Sequence, residues 1–368
     1  MNKITTSINA PFINLLYRRI LTTCHTQKRF TTKIQNLQHK QIPFAQSSPF
    51  EISFHEKPKT ALLFCKINNT AAFEALSNIA NHLTEQHNVK IIVEDSIHKH
   101  FSQSNSYHFV IKENLRGAVE KSDFIICSGG DGTMLYLHSL LSQLDIKIPP
   151  FLSFVTDGSL GFLLPHQLDE YKNVVDRVMN DKVISCTSRM RLDCDVYRSG
   201  EIIKKERVLN EVVVHRGNIF NPSIVQTFID DYHFTTMRGD GLIVATPTGS
   251  TGYSSSSSGA MVHPSLQCIN ITPICSNIPL SIKPVVVPNY VSIKLQMSDG
   301  REFSSDTVHN DSGDVGIVAF DGRSSISLRK HDILHVKKSE FDLITIDRDT
   351  SMNDWMDSVN KRFKFKIH

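Results

Sequence analysis

The first 50 residues contain no Asp or Glu, and nowhere in the chain does an apolar run approach the roughly 20 residues needed to cross a bilayer. There is no Cys-x-x-Cys pair, no internal repeat and no Walker-type Gly-Lys-Ser/Thr. Each absence removes a class. The lack of long apolar runs argues against a membrane span or membrane partner. The seven cysteines are scattered and odd in number, which suits a reducing compartment better than a disulfide scaffold. The missing acids leave Lys3, Arg18, Arg19, Lys28, Arg29, Lys33 and Lys40 unopposed. Ile13, Leu16, Tyr17, Ile20 and Cys24 fall at helical spacing, with Arg18 and Arg19 off that face. This is the composition of a mitochondrial transit peptide, so residues 1–45 read as a disordered leader directing the chain to the matrix. The competing reading is a basic arm for nucleic acid or lipid. The whole chain is formally +3, and removing those seven basic residues leaves 3 − 7 = −4. A mildly acidic body argues against a nucleic-acid partner.

What is present reads as a globular protein. The 368 residues are 40% hydrophobic and 21% charged, enough for two domains. Short apolar runs at 61–65, 89–93, 124–127 and 151–155 read as buried strands, and residues 71–87, 114–121 and 167–179 as helices. Alternating strands and helices imply a parallel sheet, Rossmann-like, over 55–170. From 171 to 330 strands dominate, at 191–197, 207–215, 223–230, 241–246, 280–287, 291–297, 315–320 and 325–328. Asp299-Gly300 and Asp321-Gly322 supply turn pairs. Residues 331–368 read as a segment returning to the first domain, with a closing helix at 354–364. The fold class is α/β: an N-terminal α/β domain plus a β-rich C-terminal domain, with the active site in the cleft between them.

The chain is organised around Ser128-Gly129-Gly130-Asp131-Gly132-Thr133, which lies between a strand and a helix. Such a turn can close backbone N–H groups on an anion, with the positive end of the helix dipole behind them. It is not the dinucleotide G-x-G-x-x-G pattern. Asp131 is the odd member, because a carboxylate beside phosphates is unfavourable unless it binds a metal or takes a proton. Ordinary turn chemistry uses the same residues, so on this stretch alone both readings stand.

Two further stretches decide between them. One runs Leu209-Asn210-Glu211, then three valines, then His215-Arg216-Gly217. The other spans Met237 to Ser254 and contains Arg238-Gly239-Asp240-Gly241 and Thr246-Pro247-Thr248-Gly249-Ser250-Thr251-Gly252-Tyr253. With the glycine loop, and in that order, they resemble the NAD kinases, and with the presequence the fungal mitochondrial NADH kinase type in particular. The resemblance implies phosphoryl transfer from ATP to the 2′-hydroxyl of the adenosine ribose of NAD or NADH. It implies Asp131 as proton acceptor, with Gly130, Gly132 and Thr133 as donors around it. Asn210 and Glu211 match the dinucleotide-binding pair, and Asp240, preceded by Arg238, matches a residue near the nicotinamide end. Thr251, Gly252, Tyr253 and Ser256 match a segment that wraps the dinucleotide, and Phe162 an aromatic near the adenine. Adjacent strand residues point to opposite faces, so Asn210 and Glu211 can share a ligand only near a strand end or bend. No carboxylate set resembles a dedicated cage, so Mg2+ is expected to arrive with ATP, and no protein metal ligand is assigned. Family members are usually homodimers or homotetramers.

The sequence departs from the family at several points. Most relatives carry Ala where Gly252 stands, and Arg323 replaces a common Gln. A lipid kinase of the diacylglycerol or sphingosine class shares the glycine loop and remains the alternative. It is not expected to carry Asn210-Glu211 or the 246–253 segment. His331 and His335 are four apart like zinc ligands, yet their stretch reads as a strand, which separates them. The NAD against NADH preference, and ATP against other donors, stay open on sequence alone.

Overall fold

A computed structural model describes residues 50–65, 69–94, 106–109, 111–156, 161–216, 222–277, 282–298 and 313–364. The transit-peptide expectation and the turn at Asp299-Gly300 lie outside these residues.

The apolar runs become the centre of a nine-stranded sheet. Its order is Glu51–Ile52, Ile184–Arg189, Leu343–Ile346, Phe151–Val155, Phe124–Gly129, Thr60–Cys65, Lys90–Glu94, Ser106–Phe109, with His166–Gln167 branching off Phe151–Val155. The strands from Phe151–Val155 to Ser106–Phe109 pair in parallel. Their central members are buried on both faces, which is why they read as continuous apolar runs rather than alternating ones. The helix Thr70–His87 starts at Asn69, whose side chain accepts the Ala72 N–H, and stops at Asn88 in the left-handed conformation (φ 54°). Its buried residues Ala72, Leu76, Ile79, Ala80 and Leu83 recur every three to four positions and face the sheet.

The second part is two six-stranded antiparallel sheets packed face to face. One runs Glu201–Val208, Leu192–Arg198, Ile333–Lys338, Ile293–Ser298, Ser223–Ile229, Tyr232–Gly239. The other runs Val285–Pro288, Cys268–Ile274, Gly241–Ala245, Glu211–His215, Asp314–Phe320, Ser324–Arg329. Their shared core includes Leu192, Val225, Leu295 and Val336 from the first and Val212, Val244, Ile271 and Val318 from the second.

Several expectations shift. The helix Tyr171–Asn180 and the strand Ile184–Arg189 pack with the first sheet, so the change of architecture comes near Leu192 rather than at 171. The return expected from 331 begins later: Ile333–Lys338 still belongs to the sandwich, and only Leu343–Ile346 enters the first sheet. The single strand expected at 207–215 is two strands, ending at Val208 and restarting at Glu211. Glu201–Val208 and Tyr232–Gly239 went unread because they are sheet edges. Exposed edges carry charge and little apolar alternation, as Lys204, Lys205 and Glu206 do here. The C-terminal helix starts at Ser351 because Thr350 caps it, accepting the Asn353 N–H.

Candidate active site

The strand Phe124–Gly129 hands over to the helix Asp131–Leu141 through Gly130, which is extended (φ −136°, ψ −179°). A side chain at Gly129 would overlap the Thr133 hydroxyl, whereas one at Gly130 would meet no protein atom. The glycines therefore do different things: the first permits the tight start of the helix, the second leaves open space above its N-terminus. Thr133 Oγ1 accepts the Gly130 N–H at 3.4 Å. Asp131 begins the helix, and its carboxylate accepts the Phe162 N–H at Oδ2 (3.1 Å) and the Leu163 N–H at Oδ1 (3.0 Å). Gly161 lies so close to this carboxylate that a Cβ there would overlap it. The Phe162 carbonyl in turn accepts the buried Arg189 guanidinium at 3.0 Å. The Phe162 ring lies under the C-terminal helix, 6.5 Å from the Phe363 ring and with the Arg362 guanidinium 5.9 Å from its centroid.

Asn210 and Glu211 sit at the bend expected of a pair that shares a ligand. The turn is fixed from inside the fold. Asp321 accepts three consecutive backbone N–H groups, Leu209 at Oδ2 (2.8 Å) and Asn210 and Glu211 at Oδ1 (2.8 and 3.0 Å). Successive N–H groups converging on one anion form a nest, here filled by a side chain. Thr246 bolts the next segment to the same bend: its hydroxyl donates to the Leu209 carbonyl (2.6 Å) and its N–H to the Asn210 carbonyl (2.8 Å). Gly249 then packs on the Asn210 backbone with no room for a Cβ. At Gly252 an added Cβ would lie 3.3 Å from Glu211 Oε2 and 3.9 Å from Asn210 Nδ2. The alanine of most relatives would narrow that space.

Glu211 is buried, and its Oε2 has no hydrogen-bond partner among the described residues. Burial, and secondarily the Asp321 charge, push its carboxyl up to about 8 from an ordinary 4.5. The folded state therefore holds a proton on this group that the unfolded chain releases. Stability conferred by that proton is complete below about pH 4.5 and declines as pH rises towards about 8. Glu211→Gln has no such proton to lose. Denaturant unfolding across this range should show the wild type losing stability relative to Glu211→Gln with rising pH; parallel pH curves would contradict the burial argument.

A pocket of ≈ 340 Å³ opens beside Glu211. Val213, His215, Arg216, Asp240, Tyr253 and Gly322 are among its walls. Arg216 Nε pairs with Asp240 Oδ1 at 3.0 Å. Glu211, Asp240 and Tyr253 thus meet in one cavity, with Asn210 and Gly252 adjoining it. Other expected contacts do not line it. Arg238 is exposed, and its carbonyl accepts the Asn277 N–H. Thr251 is buried, and its hydroxyl donates to the Thr248 carbonyl (3.3 Å). Ser256 is exposed at the end of the short helix Tyr253–Ser256. His215 and Arg216 were missed as site residues. The period of two along the strand Glu211–His215 carried the signal for His215, since residues 211, 213 and 215 share one face.

Asp321 and Gly322 join the pocket to the glycine loop. Both have positive φ (47° and 64°), and Arg323 N–H donates to the Phe320 carbonyl, a two-residue hairpin turn. Arg323 follows. Its guanidinium donates to the Gly132 carbonyl and lies 5.5 Å from the Tyr136 ring centroid. One turn therefore lines the pocket through Gly322, holds the Asn210-Glu211 bend through Asp321 and reaches the residue after Asp131 through Arg323. His138 is fully buried on the glycine-loop helix, its Nδ1 3.6 Å from Asp321 Oδ2. Burial lowers its pKa despite the opposing pull of Asp321.

Residues 61–183 match the ATP-NAD kinase N-terminal domain and residues 209–347 the ATP-NAD kinase C-terminal domain. The chain is 34% identical over 311 residues to "NAD kinase 2, chloroplastic" of Arabidopsis thaliana, covering 82% of this chain and 30% of that protein. It thus spans less than a third of the length of that plant relative. It is 37% identical over 220 residues to the NAD kinase of Geobacter sp. (strain M21), covering 59% of this chain and 70% of that one. Among solved structures it resembles yeast NADH kinase complexed with NADH, at 26% identity and TM-score 0.76, covering 88% of this chain and 94% of that one. The lipid-kinase alternative finds no support in these matches. Two family domains in the expected order, on a fold that brings the glycine loop against the Asn-Glu bend, establish that this chain belongs to the NAD kinase family.

Proposed function

We propose that the protein transfers the terminal phosphoryl group of ATP to the 2′-hydroxyl of the adenosine ribose of NAD or NADH, giving NADP or NADPH and ADP. The observation that carries this reading is the turn at 321–323, which ties a pocket lined by Glu211, Asp240 and Tyr253 to the loop that presents Asp131. Phosphoryl transfer needs positioning and charge stabilisation more than covalent chemistry from the protein. Asp131 orients the ribose hydroxyl and takes its proton as the oxygen bonds to phosphorus and the bond to the ADP oxygen breaks. Open space above Gly130 and the helix N-terminus behind it suit the phosphates. Mg2+ enters bound to the ATP phosphates, whose negative charge it offsets. Asn210, Glu211, Asp240, Gly252 and Tyr253 hold the coenzyme.

Arg323 adds a positive charge beside the loop. Arg323→Gln keeps a donor for Gly132 and removes the charge, so the KM for ATP should rise several-fold with the KM for NADH little changed. A donor-side KM equal to the wild type would remove Arg323 from phosphate binding.

Purified chain with Mg2+, ATP and either redox form of the coenzyme, assayed side by side with polyphosphate as the other donor, tests the activity. No phosphorylated coenzyme under any of these conditions would end the reading. The matrix location rests on the acid-free basic leader; a fusion of residues 1–50 to a reporter should enter mitochondria, and a cytosolic reporter would reject it. A homodimer or homotetramer belongs to the same proposal and is read by light scattering.

A further inference from the structure

On the α/β layer, among residues that contribute nothing to the site described above, the last turns of the helix Thr70–His87 pack against the helix Tyr171–Asn180. Two imidazoles and one carboxylate converge there. His82 Nε2 lies 2.8 Å and His87 Nε2 2.6 Å from the same oxygen, Asp176 Oδ1. The three ligand atoms all fall within 4.8 Å of one another. The histidine side chains are 12% and 7% exposed, whereas Asp176 is 45% exposed, so the group is anchored on two sides and open to solvent on the third. Edge-on ring contacts, His82 with His87 at 5.6 Å and His82 with Tyr171 at 6.0 Å, hold the imidazoles in place.

We infer that His82, His87 and Asp176 form a binding site for a borderline transition-metal cation such as Zn2+, with water completing a tetrahedron. The donor set selects the ion. Two imidazoles and a carboxylate suit Zn2+, Co2+ or Cu2+, while Mg2+ and Ca2+ require mostly oxygen. The geometry is close to what the metal needs. Zn–N and Zn–O bonds of about 2.0–2.2 Å separate tetrahedral ligands by roughly 3.3 Å. Asp176 must therefore withdraw by about half an ångström from its present hydrogen bonds, and as the exposed member it is free to do so. The two imidazole nitrogens, within 4.8 Å of each other, must come to the same spacing of roughly 3.3 Å. Binding exchanges two Nε2–H hydrogen bonds for two Nε2–metal bonds: a neutral ring takes its one proton to Nδ1, and a doubly protonated ring releases the Nε2 proton to water and keeps the Nδ1 one. His87 Nδ1 is buried and has no partner among the described residues. Metal-bound histidines ordinarily donate that N–H to an acceptor, and lacking one costs about 10–100-fold in affinity. The site is accordingly a moderate-affinity clamp between two helices rather than a deep structural zinc centre. No sequence pattern announced it, because Asp176 lies 94 and 89 positions from His82 and His87.

The full chain, stripped with a chelator and titrated with Zn2+ alone and Co2+ alone, tests the site. The expected result is one saturable equivalent of either metal, the visible absorption of four-coordinate Co2+, and a higher unfolding temperature with Zn2+. Asp176→Asn alters only a half-exposed side chain and should weaken binding by at least about 10–100-fold; replacing both histidines with Gln should abolish the Co2+ spectrum. No saturable binding by the wild type would overturn the assignment. So would binding that persists undiminished in either variant, since it would then belong to other groups such as the exposed thiol of Cys275.

Discussion

Asp131→Asn should lower turnover by about 10²–10⁴-fold, the range a positioned general base supplies, while calorimetric affinity for NADH stays close to the wild type. The separation of effects follows from geometry. The carboxylate touches the Phe162 and Leu163 N–H groups, whereas the pocket proposed for the coenzyme is lined by Glu211, Asp240 and Tyr253. An asparagine can still accept one of the two N–H groups. Losing the other acceptor costs about 1–3 kcal/mol at most, so the variant should fold. Gly161→Ala approaches the same point from the other side. It keeps the carboxylate but puts a methyl group where the carboxylate now lies. Displacing a catalytic group by about an ångström costs on the order of 10²-fold, so this variant should also lose turnover with Asp131 intact. Wild-type turnover in Asp131→Asn would remove the carboxylate from the reaction. Loss of NADH binding in that variant would mean that Asp131 belongs to the coenzyme site instead.

The second large effect is on stability. Asp321→Ala should destabilise the protein by about 3 kcal/mol or more, because three backbone N–H groups lose one shared acceptor and each orphaned buried donor costs about 1–3 kcal/mol. The bend that carries Asn210 and Glu211 should then loosen, and NADH affinity should fall with it. Asp321→Asn is expected to lie between, since its single carbonyl oxygen can keep the Asn210 and Glu211 donors and lose only Leu209. Removing the charge also bears on Glu211. Burial, the larger cause of its raised pKa, persists, while the contribution of Asp321 disappears, so its proton should leave at a lower pH than about 8. Denaturant melts with and without NADH measure both consequences. An Asp321→Ala protein as stable as the wild type would show that the nest does not hold the bend.

These variants also separate what was legible from what was not. The glycine loop, the Asn210-Glu211 pair and the 246–253 segment could be read directly, because each is a local pattern in which backbone freedom or a donor–acceptor pair sits at a fixed spacing. The parallel strands were legible for a similar reason: burial on both faces makes them continuous apolar runs. Asp321 was visible only as half of a turn pair. Its carboxylate matters because the sandwich folds that turn onto residues 209–211, more than a hundred positions earlier in the chain. Arg189 and Gly161 have the same history. Arg189 stands in no recognisable motif and Gly161 is legible only as the neighbour of Phe162, yet one holds the Phe162 carbonyl and the other lets the Asp131 carboxylate approach the backbone.

The sequence by itself determined the chemistry on offer: a carboxylate among glycines at a helix start, an Asn-Glu pair, a Thr-Gly-rich segment and strands apolar enough to be buried. Tertiary structure alone decided which of these meet. It brought Glu211, Asp240 and Tyr253 into one pocket, left Arg238 and Ser256 exposed, and committed the Thr251 hydroxyl to the backbone. The physical reason is range. Helix and strand periodicity and turn chemistry act over a few residues and are written in local order. The nest at Asp321, the raised pKa of Glu211 and the convergence of His82, His87 and Asp176 arise from burial and contact between segments that only packing brings together.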